Sequence, residues 1–218
     1  VSRFIQRLGY ENYEAARLKV REENHAQPSL MVSALPEERA WDSELSLAES
    51  NLRHTLEALS PETLDQIADA LIGARRVYFF GTRNNHNFAS YLRWQLLQVI
   101  CCADILPGAG ETLGEYLPGL SSEDVLIVFD LRRSQPITQR FAKLAQQQGV
   151  SVLYITDHYS ATDCPATWTL RCATQATGTI DNHVAPIMLC HLLASRVIQR
   201  VSITGQQRLA QIEHAHET

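Results

Sequence analysis

The sequence predicts an α/β protein: a doubly wound, parallel, five-stranded sheet with helices on both faces, preceded by a short helical stretch and a linker. Three observations predict it. Apolar runs of strand length recur at Val77–Phe80, Ala103–Leu106, Val125–Phe129, Val150–Ile155 and Trp168–Cys172. Segments with apolar residues at helical spacing alternate with them, through short polar joins, and that alternation is the pattern of consecutive βαβ units. The third run is almost wholly apolar, as a strand buried on both faces must be.

In chain order, Phe4 to Tyr10 starts within a helical pattern and stops at Gly9, a helix-ending residue. The chain therefore reads as a fragment that begins inside a longer helical region. Tyr13, Ala16 and Val20 resume helical spacing up to about residue 24. Residues 25–41 hold Pro28 and Pro36 and no periodicity, and read as a linker. A helix follows from about Asp42 to Leu59. Ser60-Pro61 then supplies an N-cap and a first-turn proline for a second helix that closes near Gly73. After the first strand, Phe88, Leu92, Leu96 and Val99 mark a helix over residues 86–101. A turn at Pro107–Gly110 leads to an expected short helix over residues 111–117. Ile137, Phe141, Leu144 and Ala145 mark a helix from Pro136 to Gln148, ended by Gly149. A long helix is expected from Asp181 to Val201, and residues 205–218 read as a polar tail.

The chemistry gathers in two loops. One follows the first strand and holds Gly81, Thr82, Arg83, Asn84 and Asn85; the other follows the third and holds Asp130, Arg132, Arg133, Ser134 and Thr138. In a parallel sheet both lie at carboxyl strand ends, where open α/β sheets bind ligands. Hydroxyls, amides, N–H groups at helix starts and guanidinium forks suit a small anion. The arginine pair has two readings: bidentate contact with a phosphate or carboxylate, or a structural ion pair with Asp130.

Bulk composition narrows the class. Hydrophobic residues make up 45% of 218 residues, enough for a sizeable core. Net charge is -5 and the pI is near 5.9, which argues against nucleic-acid binding by bulk charge. No apolar run reaches membrane-spanning length, and no signal peptide is visible. The five cysteines, at positions 101, 102, 164, 172 and 190, show no zinc spacing. They read as free thiols in a reduced cytoplasm. No cofactor and no metal are expected.

At particular residues the chain resembles a known family. Val1-Ser2-Arg3-Phe4 resembles the start of the recognition helix of RpiR-type transcriptional regulators, and Leu8-Gly9-Tyr10 with Tyr13 resembles the step that follows it. Residues 42–204 resemble the SIS (sugar isomerase) domain of these regulators, a flavodoxin-like fold. The resemblance implies that residues 1–24 are the truncated end of a helix-turn-helix domain. Ser2, Arg3 and Arg7 would then face DNA only in the intact domain. It also implies a phosphorylated sugar or related anion as effector, held by a glycine-serine loop and a Ser-x-Ser-Gly-x-Thr loop, and a homodimer or higher homo-oligomer. The first loop keeps Gly81, with Asn85 near the usual serine; the second lacks the glycine and keeps Thr138. A subset of RpiR-like proteins is similar there, with Asp-x-Arg-Arg.

Other candidates have weaker signals. Glu111 would be the proton carrier of an isomerase, or a helix-start acid. By resemblance, His183 stands where sites of this fold take a group from the last long helix. Asp157 and His158 follow the fourth strand. His214 and His216 lack a third ligand. The resulting expectation is a cytoplasmic, non-enzymatic, effector-sensing and dimerising part of a regulator. A sugar-phosphate isomerase and a dimerisation module with a decayed site are the alternatives.

Overall fold

The computed structural model describes residues 40–132, 134–158, 164–176, 180–201 and 203–217. The expectations for the first 39 residues, including Ser2, Arg3 and Arg7, and for Arg133 lie outside them. Two compact units divide the chain: Ala48–Thr174 with Asn182–Thr218, and Val1–Leu47 with Gln175–Asp181. The second unit's longest described piece is the start of helix α1.

The elements are α1 (Ala40–Glu57), α2 (Pro61–Gly73), β1 (Val77–Gly81), α3 (Asn85–Leu97), β2 (Ala103–Leu106), β3 (Val125–Asp130), α4 (Pro136–Gln147), β4 (Ser151–Asp157), β5 (Trp168–Cys172), α5 (Val184–Arg200) and α6 (Ile203–Glu217). The sheet order is β2-β1-β3-β4-β5, and every pairing is parallel. β1, β3 and nearly all of β4 are buried, whereas edge strand β5 alternates. Expected and observed strands agree to within about two residues.

Strand periodicity sorts the core into two layers. Phe79, Ile127, Phe129, Leu153 and Ile155 face α2, α3 and α5 through Ile67, Leu71, Phe88, Leu92, Leu193 and Val197. Their neighbours Tyr78, Phe80, Leu126, Val128 and Tyr154 face α4 through Phe141, Ala142 and Ala145. The chain thus leaves β1 toward one face and β3 toward the other. These strands are adjacent, so their loops flank the topological switch point.

Local chemistry places the ends. Ser60 Oγ accepts from the Thr63 N–H at 3.2 Å at the start of α2. Arg75 and Asp124 join the amino ends of β1 and β3 by paired bonds of 2.9 and 2.7 Å. Burial raises the Asp124 carboxyl, but the Arg75 guanidinium and Ser121 donors outweigh it and hold the group below the usual carboxylate range.

Two expectations need correction. Residues 111–117 form turns, with only a 3₁₀ turn at Leu117–Gly119. Glu115 accepts from the Thr112 N–H at 2.8 Å, and Gly114 N–H donates to Thr112 Oγ1 at 3.3 Å. Those bonds compete with a helical ladder. The expected polar tail is largely a helix, α6. Its Gly205 is buried against Val201, and Arg208 Nε donates to the Leu97 carbonyl at 3.1 Å. Its apolar positions are too sparse to show a period.

Candidate ligand site at the switch point

The first loop is a tight turn built on one glycine. A Cβ on Gly81 would stand 2.6 Å from the backbone carbon and oxygen of Asn85. Arg83 takes φ +56°, and the Asn85 N–H closes the turn on the Thr82 carbonyl at 3.0 Å. Arg83 and Asn84 are exposed, and Thr82 is half-buried.

Asn85 is buried, and its amide clamps the backbone of the second loop. Its Nδ2 donates to the Leu131 carbonyl at 3.1 Å, and its Oδ1 accepts the Leu131 N–H at 3.1 Å. Both polar atoms of this expected ligand residue are therefore engaged in joining the loops. A second link is the approach of Thr82 Oγ1 to Thr138 Oγ1 at 3.5 Å. His183, at the start of α5, brings Nδ1 within 3.4 Å of Asn84 Nδ2, and its ring lies tilted at 59° to the Phe88 ring with centroids 5.0 Å apart. The structure thus collects residues from 82, 138 and 183 around one end of the sheet.

The second loop rests on two buried carboxylates. Asp130, only 1% exposed, accepts from Ser134 Oγ at 2.5 Å and from the Tyr154 hydroxyl through Oδ2. Gln139 Nε2 donates to Ser134 Oγ at 3.0 Å. Burial raises the Asp130 carboxyl above the usual range, and the Ser134 and Tyr154 hydroxyls only partly offset it. Among the described residues its Oδ1 is buried without a hydrogen-bond partner. Arg132 takes φ +30°, and its N–H donates to Asp157 Oδ2 at 2.5 Å.

The remaining candidates sit elsewhere. Glu111 is exposed and accepts from Tyr116 of its own turn. His158 packs against His54, ring centroids 4.6 Å apart. His214 and His216 lie exposed in the last turn of α6. No group of three or more His, Cys, Asp or Glu side chains among the described residues has metal-holding geometry. Sequence reasoning missed Tyr154 and Gln139. Tyr154 carried a signal: a tyrosine inside a buried strand must find a partner for its hydroxyl.

Two loops of the α/β sheet meet at the switch point, and hydroxyls, amides and an imidazole converge there. Residues 70–196 match the SIS domain family, and the chain belongs to it. It is similar to an uncharacterized HTH-type transcriptional regulator in the aarA 3' region of Providencia stuartii, at 26% identity over 164 residues. That match covers 72% of this chain and 57% of the relative's length. Two solved structures share the fold. One is the sugar isomerase domain of an RpiR transcription factor from Sphaerobacter thermophilus, with TM-score 0.73, 23% identity, and coverage of 81% of this chain and 99% of that one. The other is Vibrio vulnificus NanR complexed with ManNAc-6P, with TM-score 0.68, 14% identity, and coverage of 99% and 79%. No single helix among the described residues is long and apolar enough to cross a membrane.

Proposed function

We propose that this chain is the effector-sensing and dimerisation region of an RpiR-like transcriptional regulator. Residues 42–204 form the sensing domain, 25–41 the linker and 1–24 the end of a DNA-reading domain. A small anionic metabolite, a phosphorylated sugar or a carboxylate, binds between the loops at 81–86 and 130–138. Thr82, Arg83, Arg132, Arg133, Thr138 and His183 supply its contacts, while Gly81, Asn85, Asp130 and Ser134 shape the loops. Binding favours one homodimer geometry, which sets the spacing of two DNA-reading helices. The observation that carries this reading is the meeting of Thr82 and Thr138 across the switch point, with His183 beside the first loop. The complex of NanR with ManNAc-6P, a sugar phosphate, supports the ligand class.

Thermal unfolding against sugar phosphates and organic acids tests it. A ligand at ~100 times its dissociation constant adds about 2.7 kcal/mol, a shift of several degrees. The shift should be lost in a Thr82→Val/His183→Ala variant. Full-length protein whose operator binding ignores every stabilising compound would overturn the regulatory part. Turnover of an aldose or ketose phosphate that Glu111→Gln abolishes would make the chain an isomerase instead.

A further inference from the structure

Two cysteines stand side by side in the turn between α3 and β2, away from the two loops of the candidate site. The Cys101 and Cys102 sulfurs are 3.5 Å apart, within hydrogen-bond reach for sulfur. Cys101 is exposed and Cys102 half-buried. A cavity of about 280 Å³ lies beside Cys101, lined also by Val99, Gly205, Gln207, Arg208 and Gln211. The hydrogen bond with Cys101, then the charge of that sulfur, hold the Cys102 thiol above its usual range. Of the two, Cys102 is therefore the one that keeps its proton. The backbone around the pair is anchored. The Cys102 carbonyl accepts the Val77 N–H at 2.8 Å, and Arg93 Nε donates to the Ala103 carbonyl at 2.6 Å. The peptide bond joining the two cysteines is trans, which sets their Cα atoms about 3.8 Å apart.

We propose that Cys101 and Cys102 form a reversible oxidation site, a vicinal dithiol that hydrogen peroxide converts to a disulfide, with Cys101 the attacking thiol and Cys102 the resolving one. The Cys101 sulfur, as thiolate, attacks one peroxide oxygen. The O–O bond breaks, hydroxide leaves, and Cys101 becomes a sulfenic acid. The Cys102 sulfur then attacks the Cys101 sulfur. The S–S bond forms, the S–O bond breaks, and the hydroxide leaves as water with the Cys102 proton. Two thiols and one peroxide thus give one disulfide and two waters, and the peroxide takes up both electrons. The exposed thiol meets the oxidant, and its partner is already in contact with it. Disulfides usually join Cα atoms about 4.4–6.8 Å apart. A bond between chain neighbours is therefore strained, and the anchored carbonyls of Cys102 and Ala103 limit how far the backbone relaxes. Strained, exposed disulfides are the easily reduced ones, so this bond is a labile modification and not a structural cross-link.

The test is a mass map of the folded chain after hydrogen peroxide, with and without later dithiothreitol. Trypsin releases both sulfurs in one peptide, residues 94–132, which holds no other cysteine. Peroxide should lower the mass of that peptide by two hydrogens and close it to iodoacetamide, and dithiothreitol should restore both thiols. In Cys102→Ser the reaction should stop at a Cys101 sulfenic acid that dimedone traps. In Cys101→Ser, Cys102 should stay reduced at the same peroxide dose. If a serine variant folds poorly, the wild-type peptide still decides, because its mass change needs no substitution. Three wild-type results overturn the inference: both thiols remain free at a dose that oxidises Cys101 in Cys102→Ser or that oxidises methionine, Cys101 passes to sulfinic acid without the disulfide, or the disulfide forms between two chains.

Discussion

Asn85 shows how one side chain performs a task that no sequence pattern announces. Position 85 reads as a ligand contact because it stands in a polar loop opening a helix. In the fold its amide holds both backbone groups of Leu131, 46 residues away. Asn85→Ala would leave that buried N–H and C=O unpaired, at about 2–3 kcal/mol. Thermal melts should show a fall of about 5–10 °C; an unchanged midpoint would mean the clamp is dispensable. His158 supplies a second residue-scale prediction. Burial, then the neighbouring His54 and Arg171, depress its imidazole below the usual histidine range. The folded chain therefore binds this proton less readily than the unfolded chain. The stability from this group is intact above the unfolded value near ~6.5 and lost as pH falls through the folded value. Melts of His158→Gln between about pH 7 and about pH 5 should show a shallower loss than wild type. Parallel losses would exclude the histidine as a source.

At the scale of elements, the junction from β1 to α3 is the most constrained. Gly81 ends the strand where a side chain would overlap the backbone of Asn85 at 2.6 Å. Gly81→Ala must push the turn outward, moving Thr82 from Thr138 and Asn85 from Leu131. About 1–3 kcal/mol of stability should be lost, together with any ligand-induced shift in unfolding temperature. A variant that keeps both would show that the turn accommodates a methyl group. The five strands were legible because their apolar runs are short, β-rich and bounded by turns. The helix expected over residues 111–117 failed because Thr112, Gly114 and Glu115 satisfy one another locally. Helix α6 was illegible because its anchor, Arg208 on the Leu97 carbonyl, is a tertiary bond.

For the whole molecule, helix α5 carries apolar residues on two faces. Leu189, Leu193 and Val197 face the core, while Val184, Ile187 and Ile198 stay 46%, 38% and 37% exposed along the opposite side. On the homodimer reading this stripe packs on a second copy. Ile187→Lys with Ile198→Lys should convert a dimer to a monomer in light scattering, with little change in unfolding temperature. A dimer that persists would place the interface elsewhere. The cysteines follow the same division. Cys101 is exposed, whereas burial pushes the Cys172 thiol up to about 12 and the buried Cys190 thiol higher than usual. Alkylation followed by mass spectrometry should mark Cys101 first, and Cys172 and Cys190 only after unfolding.

The layers, the five strands, the parallel winding and the two loops that flank the switch point were all written in the order of residues along the chain. They depend on period and turn chemistry, which are local properties. Which loop atoms are already engaged is a property of the folded molecule alone. Asn85 meets Leu131, Thr82 meets Thr138, His183 reaches Asn84 and Asp157 holds the Arg132 N–H, each across more than twenty residues of chain. Such partnerships depend on strand order and on the depth of each strand end. The order placing β3 beside β1, with β4 beyond it, brings Asp157 at the end of β4 to the Arg132 N–H of the second loop.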